Sequence, residues 1–349
     1  MIKKIIKKTI AITLIFTLVF GLAACSSAGG RKDYEVVGTV TDACGRTLDI
    51  RSNANESTIA SVYFVAAPFF VALGISDRVL AVNARTTFWT MADEGLGKAG
   101  TVGKGNVDLE KLAAYAPTAL VHRSNDPETI EAVEKLGIDC ICITVENMND
   151  IISTLDLLGA YFGVPENAKA AKDWIESEFA YIDSIVEKIP VSERKTAMLL
   201  GGELGRVAGS DMLQTWMIEK AGGIPVVQEG KDHNWVDIGV EKVFSYNPDV
   251  LFCTSSAARS YTKEEIYADS AWSALTAVKN REIYQIPTKG DSWDMPGLSC
   301  ALGTLYMLHE MYPEYLSVSD LEDEVDSYYR FMFGRCFDEE LELDWDNFE

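Results

Sequence analysis

One stretch limits the architecture more than any other. From Pro165 to Pro190 the chain reads PENAKAAKDWIESEFAYIDSIVEKIP, with proline at the first-turn position and no breaker until the next proline. Ala168, Ala171, Ile175, Phe179, Ile182 and Ile185 recur at steps of three and four and so share one face. Lys172, Asp173, Glu176 and Ser177 lie on the other. A helix over residues 165–190 is roughly 35 Å long at about 1.5 Å per residue, enough to run along a small domain. Similar segments of alternating strand and helix flank it, so it is expected to act as a stiff spine between two lobes.

Before the spine, Asp42–Ile50 reads as a hairpin about its central glycine, and Ile59–Phe64, Val79–Val82, Ala119–Val121 and Ile138–Thr144 read as strands. Helices are expected at Phe69–Leu73, Leu109–Tyr115 and Ile130–Leu136. After it, Thr196–Leu200, Pro225–Val227, Val250–Cys253 and Ile283–Ile286 read as strands, with helices at Met212–Lys220 and Val240–Tyr246. Such alternation predicts an α/β protein of two Rossmann-like lobes, each a parallel sheet with helices on both faces. Part of the pattern repeats literally. VDLEKLAAYAPTALVHRS at 107–124 aligns without a gap to IGVEKVFSYNPDVLFCTS at 238–255. Glu110 pairs with Glu241, Tyr115 with Tyr246 and Pro117 with Pro248. Two such segments at equivalent points of two α/β units point to duplication.

The amino terminus carries an export signal: lysines from Lys3 to Lys8, an apolar run Thr9–Phe20, then Leu22-Ala23-Ala24-Cys25. The net charge of −22 becomes −26 once the four leader lysines are gone, which excludes nucleic acid as a partner. Cys44, Cys140, Cys142, Cys253, Cys300 and Cys336 show no disulfide framework or C-x-x-C motif and read as buried free thiols acting as small apolar residues.

In open parallel sheets, ligands bind beyond the carboxyl ends of the strands. The segments that follow the expected strands hold Trp89, Arg123, Arg206, Trp235, Arg259 and Trp293. Aromatic walls with a few cations suit a bulky, partly apolar anion held between lobes. Motifs for catalysis are missing: no G-x-S-x-G elbow, no phosphate loop, and only His122, His233 and His309 as histidines. An intrinsic cofactor or a bare metal ion held by several histidines is not expected.

Taken in order, Leu22–Cys25, Val40–Ile50, Ala72–Val82, Val107–Val121, the spine, Asn247–Phe252, Ser270–Ile286, Ser292–Pro313 and Tyr328–Gly334 resemble the lipid-anchored substrate-binding proteins of ABC importers. The resemblance is to the class with a single long interlobe helix, whose members capture ferric siderophores, haem, cobalamin, oxyanions or metal ions. It implies a signal peptide at 1–24, lipidation at Cys25, a tether at 25–32, an N-terminal lobe at 33–164 and a C-terminal lobe at 191–349. It also implies a monomer outside the cytoplasm that captures an iron complex, a ferric siderophore or haem first. Cobalamin or molybdate is the alternative ligand. Its partners would be the permease and ATPase subunits, with Glu110 and Glu241 as docking acids. The glutamate expected before Ala72-Leu73-Gly74 is replaced by Pro68-Phe69. A competing reading is an exported two-lobed enzyme using His122, Cys140 or His233.

Overall fold

The computed structural model describes residues 34–231, 233–256, 258–287 and 291–336; the leader, Cys25 and the acidic 338–346 segment lie outside them. Two strands, β1 (Val36–Thr41) and β2 (Thr47–Arg51), form an antiparallel hairpin. The expected hairpin at 42–50 thus begins earlier, because Asp42 caps the turn: its Oδ1 accepts from the backbone N–H of both Cys44 and Arg46 at 3.0 Å.

The first half then runs β3 (Ile59–Ser61), α1 (Ala67–Ala72), β4 (Val79–Asn83), α2 (Thr87–Ala92), α3 (Glu94–Gly97), β5 (Gly100–Gly103), α4 (Leu109–Tyr115), β6 (Ala119–Arg123), α5 (Pro127–Glu134), β7 (Asp139–Ile143) and α6 (Met148–Tyr161). Its parallel sheet has the order β5-β4-β3-β6-β7. The spine is α7, Pro165–Val186, 22 residues, ending four short of Pro190. The second half runs β8 (Thr196–Leu200), β9 (Arg206–Ala208), α8 (Leu213–Lys220), β10 (Ile224–Pro225), β11 (Trp235–Asp237), α9 (Gly239–Tyr246), β12 (Val250–Cys253), α10 (Lys263–Ala268), α11 (Thr276–Asn280), β13 (Ile283–Gln285), α12 (Cys300–Met311) and α13 (Val318–Phe333). Its sheet has the order β11-β9-β8-β12-β13, with β10 also on β8. Here β8, β12, β13 and β10 are parallel, while β9 and β11 extend the edge antiparallel.

Alternation along the central strands shows how the layers stack. Ala119, Val121, Ile141 and Ile143 point to one core, whereas Leu120, Cys140 and Cys142 point to an outer one. In the second sheet Ala197, Leu199, Val250 and Phe252 point to that same first core, and Met198, Leu200, Leu251 and Cys253 to another outer cluster. Each sheet therefore turns one face toward a shared core, filled by α7, α8, α12 and α13. The described residues from Val36 onward form one compact unit.

The sequence repeat has a backbone counterpart. Helices α4 and α9 both end in a left-handed residue, Ala116 at φ 46° and Asn247 at φ 41°, at matching positions before the paired prolines. Leu112 and Val243, also matched, are each fully buried. The strands that follow, β6 and β12, each lie between two parallel neighbours, β3 and β7 or β8 and β13.

Candidate ligand-binding site

The carboxyl ends of β3, β4, β6, β7 and β8 carry Tyr63, Arg85, Arg123, Glu146 and Arg206. Arg123, the last residue of β6, has a 46% exposed side chain and a weak contact of 3.5 Å with Asp126 Oδ2. That carboxylate is committed elsewhere: it accepts from the Thr129 N–H as the cap of α5 and meets His122 Nε2 at 3.0 Å. Although partial burial opposes it, hydrogen bonds from His122 and Thr129 hold Asp126 down at about 2. The Arg85 and Arg206 guanidinium groups have no hydrogen-bond or ion-pair partner among the described residues. Three cations at strand ends, one loosely paired and two unpaired, is an unusual arrangement in a chain of net charge −22.

Glu146 follows β7, and partial desolvation raises its pKa while the His233 charge draws it back. His233 comes from the other half, in the segment before β11, so this interaction spans the two sheets. His233 sits at φ 53°, a backbone setting that costs a non-glycine residue. Asp211 holds it there, with the His233 N–H on Oδ1 at 3.2 Å and ring Nδ1 against the Asp211 carbonyl at 2.7 Å. Tyr63 completes the group: burial and the Glu146 charge push its phenol pKa up, and Arg123 pulls it down. Tyr63 and Glu146 are thus the two groups here whose ionisation their surroundings shift.

Trp235 is half-buried on β11, and its ring lies over Gly201, where an added Cβ would meet Cε3 at 2.7 Å. Gly201 in turn donates its N–H to the Arg206 carbonyl at 2.7 Å, so Trp235, Gly201 and Arg206 form one corner at the end of β8.

Three of the six residues singled out as ligand contacts have other work. Trp89 is 8% exposed and packs edge-on against Phe88 and tilted against Phe333 of α13; it is a core residue. Trp293, 1% exposed, packs edge-on against Tyr306 and is likewise no cleft wall. Arg259 spends its guanidinium on its own loop, with Nε donating to the Tyr261 carbonyl at 2.6 Å and Nη1 to the Thr254 carbonyl at 2.7 Å. Loop position alone does not separate a lining side chain from one folded under the loop. Tyr63 and Arg85 were missed as individuals for the converse reason, since one tyrosine or arginine after a strand carries no motif.

The residues of the competing enzymatic reading do not form a nucleophilic site. His122 is buried and its pKa lowered by that burial, and Cys140 is fully buried. A cavity of ≈ 580 Å³ lies elsewhere, lined by Asp77, Met91, Glu94, Phe333 and Arg335 near the amino end of β4.

Comparison with known proteins decides the family. The model of the family described as periplasmic binding protein matches residues 59–289, more than half of the chain. The chain belongs to that family. Its members are binding proteins that act outside the cytoplasm, not enzymes. A periplasmic solute binding protein from Veillonella parvula superposes with a TM-score of 0.73 at 22% identity, covering 88% of this binding protein and 96% of the other. CeuE of Helicobacter pylori, solved with Ni(II) bound, gives 0.70 at 19% identity, covering 87% and 98%. Among curated proteins, the molybdate-binding protein MolA of Haemophilus influenzae is 21% identical over 257 residues, 66% of this chain and 71% of that one. These likenesses show a shared fold of two lobes joined through a long helix, here α7.

Proposed function

We propose that this binding protein captures a small anionic metal complex, a ferric chelate or haem, at the facing strand ends and passes it to an ABC permease and its ATPase. The observation that carries the reading is the set of strand-end guanidinium groups, Arg85, Arg123 and Arg206, without a committed carboxylate in an otherwise acidic molecule. Guanidinium groups bind carboxylate, catecholate or hydroxamate oxygens through charge-assisted hydrogen bonds. His233, Glu146 and Tyr63 add a pre-positioned imidazole, a carboxylate and a phenol for the remaining polar edge. A lipid on Cys25 would hold the protein at the membrane, with residues 25–32 as tether. Glu110 and Glu241 stand exposed in the first turns of the equivalent helices α4 and α9, where matched acids suit two-point docking on a permease. A second reading, a molybdate-type oxyanion, is favoured by the match to MolA and uses the same cations.

Tryptophan fluorescence titration separates the readings. Ferric chelates and haem should give saturable quenching, and Arg123→Ala should weaken it about tenfold or more, as for loss of a charged hydrogen bond. Saturation by molybdate with silence toward iron chelates transfers the assignment to the second reading. No saturable response to chelates, haem, cobalamin or molybdate, or an unchanged Arg123→Ala affinity, overturns the site.

A further inference from the structure

Three thiols meet where the hairpin turn touches β7. Cys140 and Cys142 are both buried on the outer face of that strand, two residues apart. The turn is clamped against them: Ala43 N–H donates to the Cys142 carbonyl at 3.0 Å, and Cys142 N–H donates to Asp42 Oδ2 at 3.1 Å. With both neighbours of the turn fixed on residue 142, the exposed Cys44 side chain is held beside Cys142. Its Sγ donates to the Ser124 carbonyl at 3.4 Å, and burial together with the neighbouring Cys142 sulfur raises the Cys44 thiol pKa. Arg46 Nη2 also donates to Cys142 Sγ at 3.2 Å, placing a permanent cation on that sulfur.

We infer that Cys44 and Cys142 are a redox pair that closes to a disulfide and staples the hairpin turn to β7 at the rim of the strand-end site. The Asp42 carboxylate already bridges the two segments, with Oδ1 accepting from the Cys44 N–H at 3.0 Å and Oδ2 from the Cys142 N–H at 3.1 Å. The chemistry is thiol–disulfide exchange with a small-molecule disulfide as oxidant. The accessible Cys44 thiolate attacks one sulfur of the donor, expelling a thiolate that takes up a proton and leaving a mixed disulfide on Cys44. Cys142, whose thiol the neighbouring Cys140 sulfur and burial hold well above its usual range against the weaker pull of Arg46, gives up its proton as it attacks the Cys44 sulfur and expels the second donor thiol. Two protein thiols lose two protons and two electrons, and the donor disulfide is reduced to two thiols. Burial, with the Cys142 sulfur adding to it, pushes the Cys44 thiol up to about 11, so the first step quickens as pH rises through the alkaline range.

The staple would span a loop of about 100 residues, in the range where cross-links restrict the unfolded chain most, and a Tm rise of about 5 °C is expected. Ser124, whose carbonyl accepts from the Cys44 thiol, directly follows Arg123, and closure removes that hydrogen bond because a disulfide sulfur carries no S–H.

The test uses the full chain, reduced, freed of reductant and incubated with oxidised glutathione. Remaining thiols are then alkylated and the protein digested without reduction. A cross-linked peptide pair holding Cys44 and Cys142, with a Tm gain reversed by dithiothreitol, is the expected result. Cys140→Ser should keep the cross-link, Cys142→Ser should stop at a glutathione adduct on Cys44, and Cys44→Ser should show neither product. A stable glutathione adduct on Cys44 in the unmutated chain overturns the inference. So does a link to Cys140, or recovery of both thiols alkylated.

Discussion

Replacing Asp291 by asparagine should remove a pH-dependent loss of stability. Asp291 is 5% exposed and accepts from the Tyr328 hydroxyl of α13 at 2.6 Å. Burial pushes its carboxyl up from 3.8 to about 6, against hydrogen bonds from Tyr328, Ser299 and the Ser292 N–H. In the unfolded chain the same carboxyl ionises near its ordinary value, so between the two the folded state binds more protons. Stability contributed by the protonated carboxyl is therefore present in acid and is lost as pH rises toward about 6. A gap of about two pKa units corresponds to about 3 kcal/mol in total, of which about 2 kcal/mol falls between pH 4 and pH 7. In Asp291→Asn the amide oxygen still accepts from Tyr328 but cannot ionise. Urea unfolding of both proteins at pH 4 and pH 7 gives four free energies. The difference, variant minus parent, should move in the variant's favour by about 2 kcal/mol between those pH values, because every other titrating group cancels. A difference that stays constant within about 0.5 kcal/mol, or moves the other way, refutes the reasoning.

Two other perturbations test separate parts of the molecule. Gly201→Ala places a Cβ 2.7 Å from Trp235 Cε3, so the ring must leave its seat; a shifted emission maximum and a loss of about 1–3 kcal/mol are expected, and an unchanged spectrum would show that the ring does not rest there. Glu178 of α7 is 7% exposed and faces Glu324 of α13; burial first, and the neighbouring acid second, raise its pKa. Its stabilising protonated form is thus lost as pH rises above the ordinary glutamate range, and Glu178→Gln should be more stable than the parent at pH 8 with a smaller margin at pH 5. Equal margins at both pH values in urea melts would dismiss the carboxyl pair.

The layer pattern was legible because period-2 alternation and glycine or proline stops are local properties. Leu109–Tyr115, Thr196–Leu200 and Val250–Cys253 form as read. Where ends moved, a side chain did it: α5 begins at Pro127 because Asp126 caps it, not at Ile130. The site was legible only at the level of segments. Arg123 and Trp235 fall at strand ends as the segment reading expects, but whether Trp293 or Arg259 is left exposed depends on contacts distant in sequence. Asp294 is an example: fully buried, it accepts from Thr254 Oγ1 at 2.6 Å and from Ser255, tying its whole segment down under β12. Nothing in SWDMPG announces that. Cys44 beside Cys142 was equally hidden, since no spacing rule links residues brought together by a hairpin turn and a parallel strand.

The last helix changes how the two halves relate mechanically. Although α13 follows the second sheet in sequence, it packs on α1 of the first half as well as on α12. Phe331 stacks on Trp174 of the spine at 5.5 Å and 13°, and Phe333 meets Trp89 at 5.7 Å. On the same side, Arg335 donates to the Ala92 carbonyl at 3.1 Å. Swinging the halves apart would have to unstack these rings, and an aromatic pair is worth about 0.5–1.5 kcal/mol beyond the area it buries. At the seam itself, Gly297 of the loop before α12 approaches Pro68 so closely that a Cβ would touch its Cγ at 3.4 Å. Proline at 68, where the family resemblance leads one to expect an acid nearby, therefore serves as a packing surface for the other half. A core shared by both sheets and bolted by α13 opposes a wide closing motion between the halves, because any such motion has to break packed contacts on the side where α13 crosses from one half to the other.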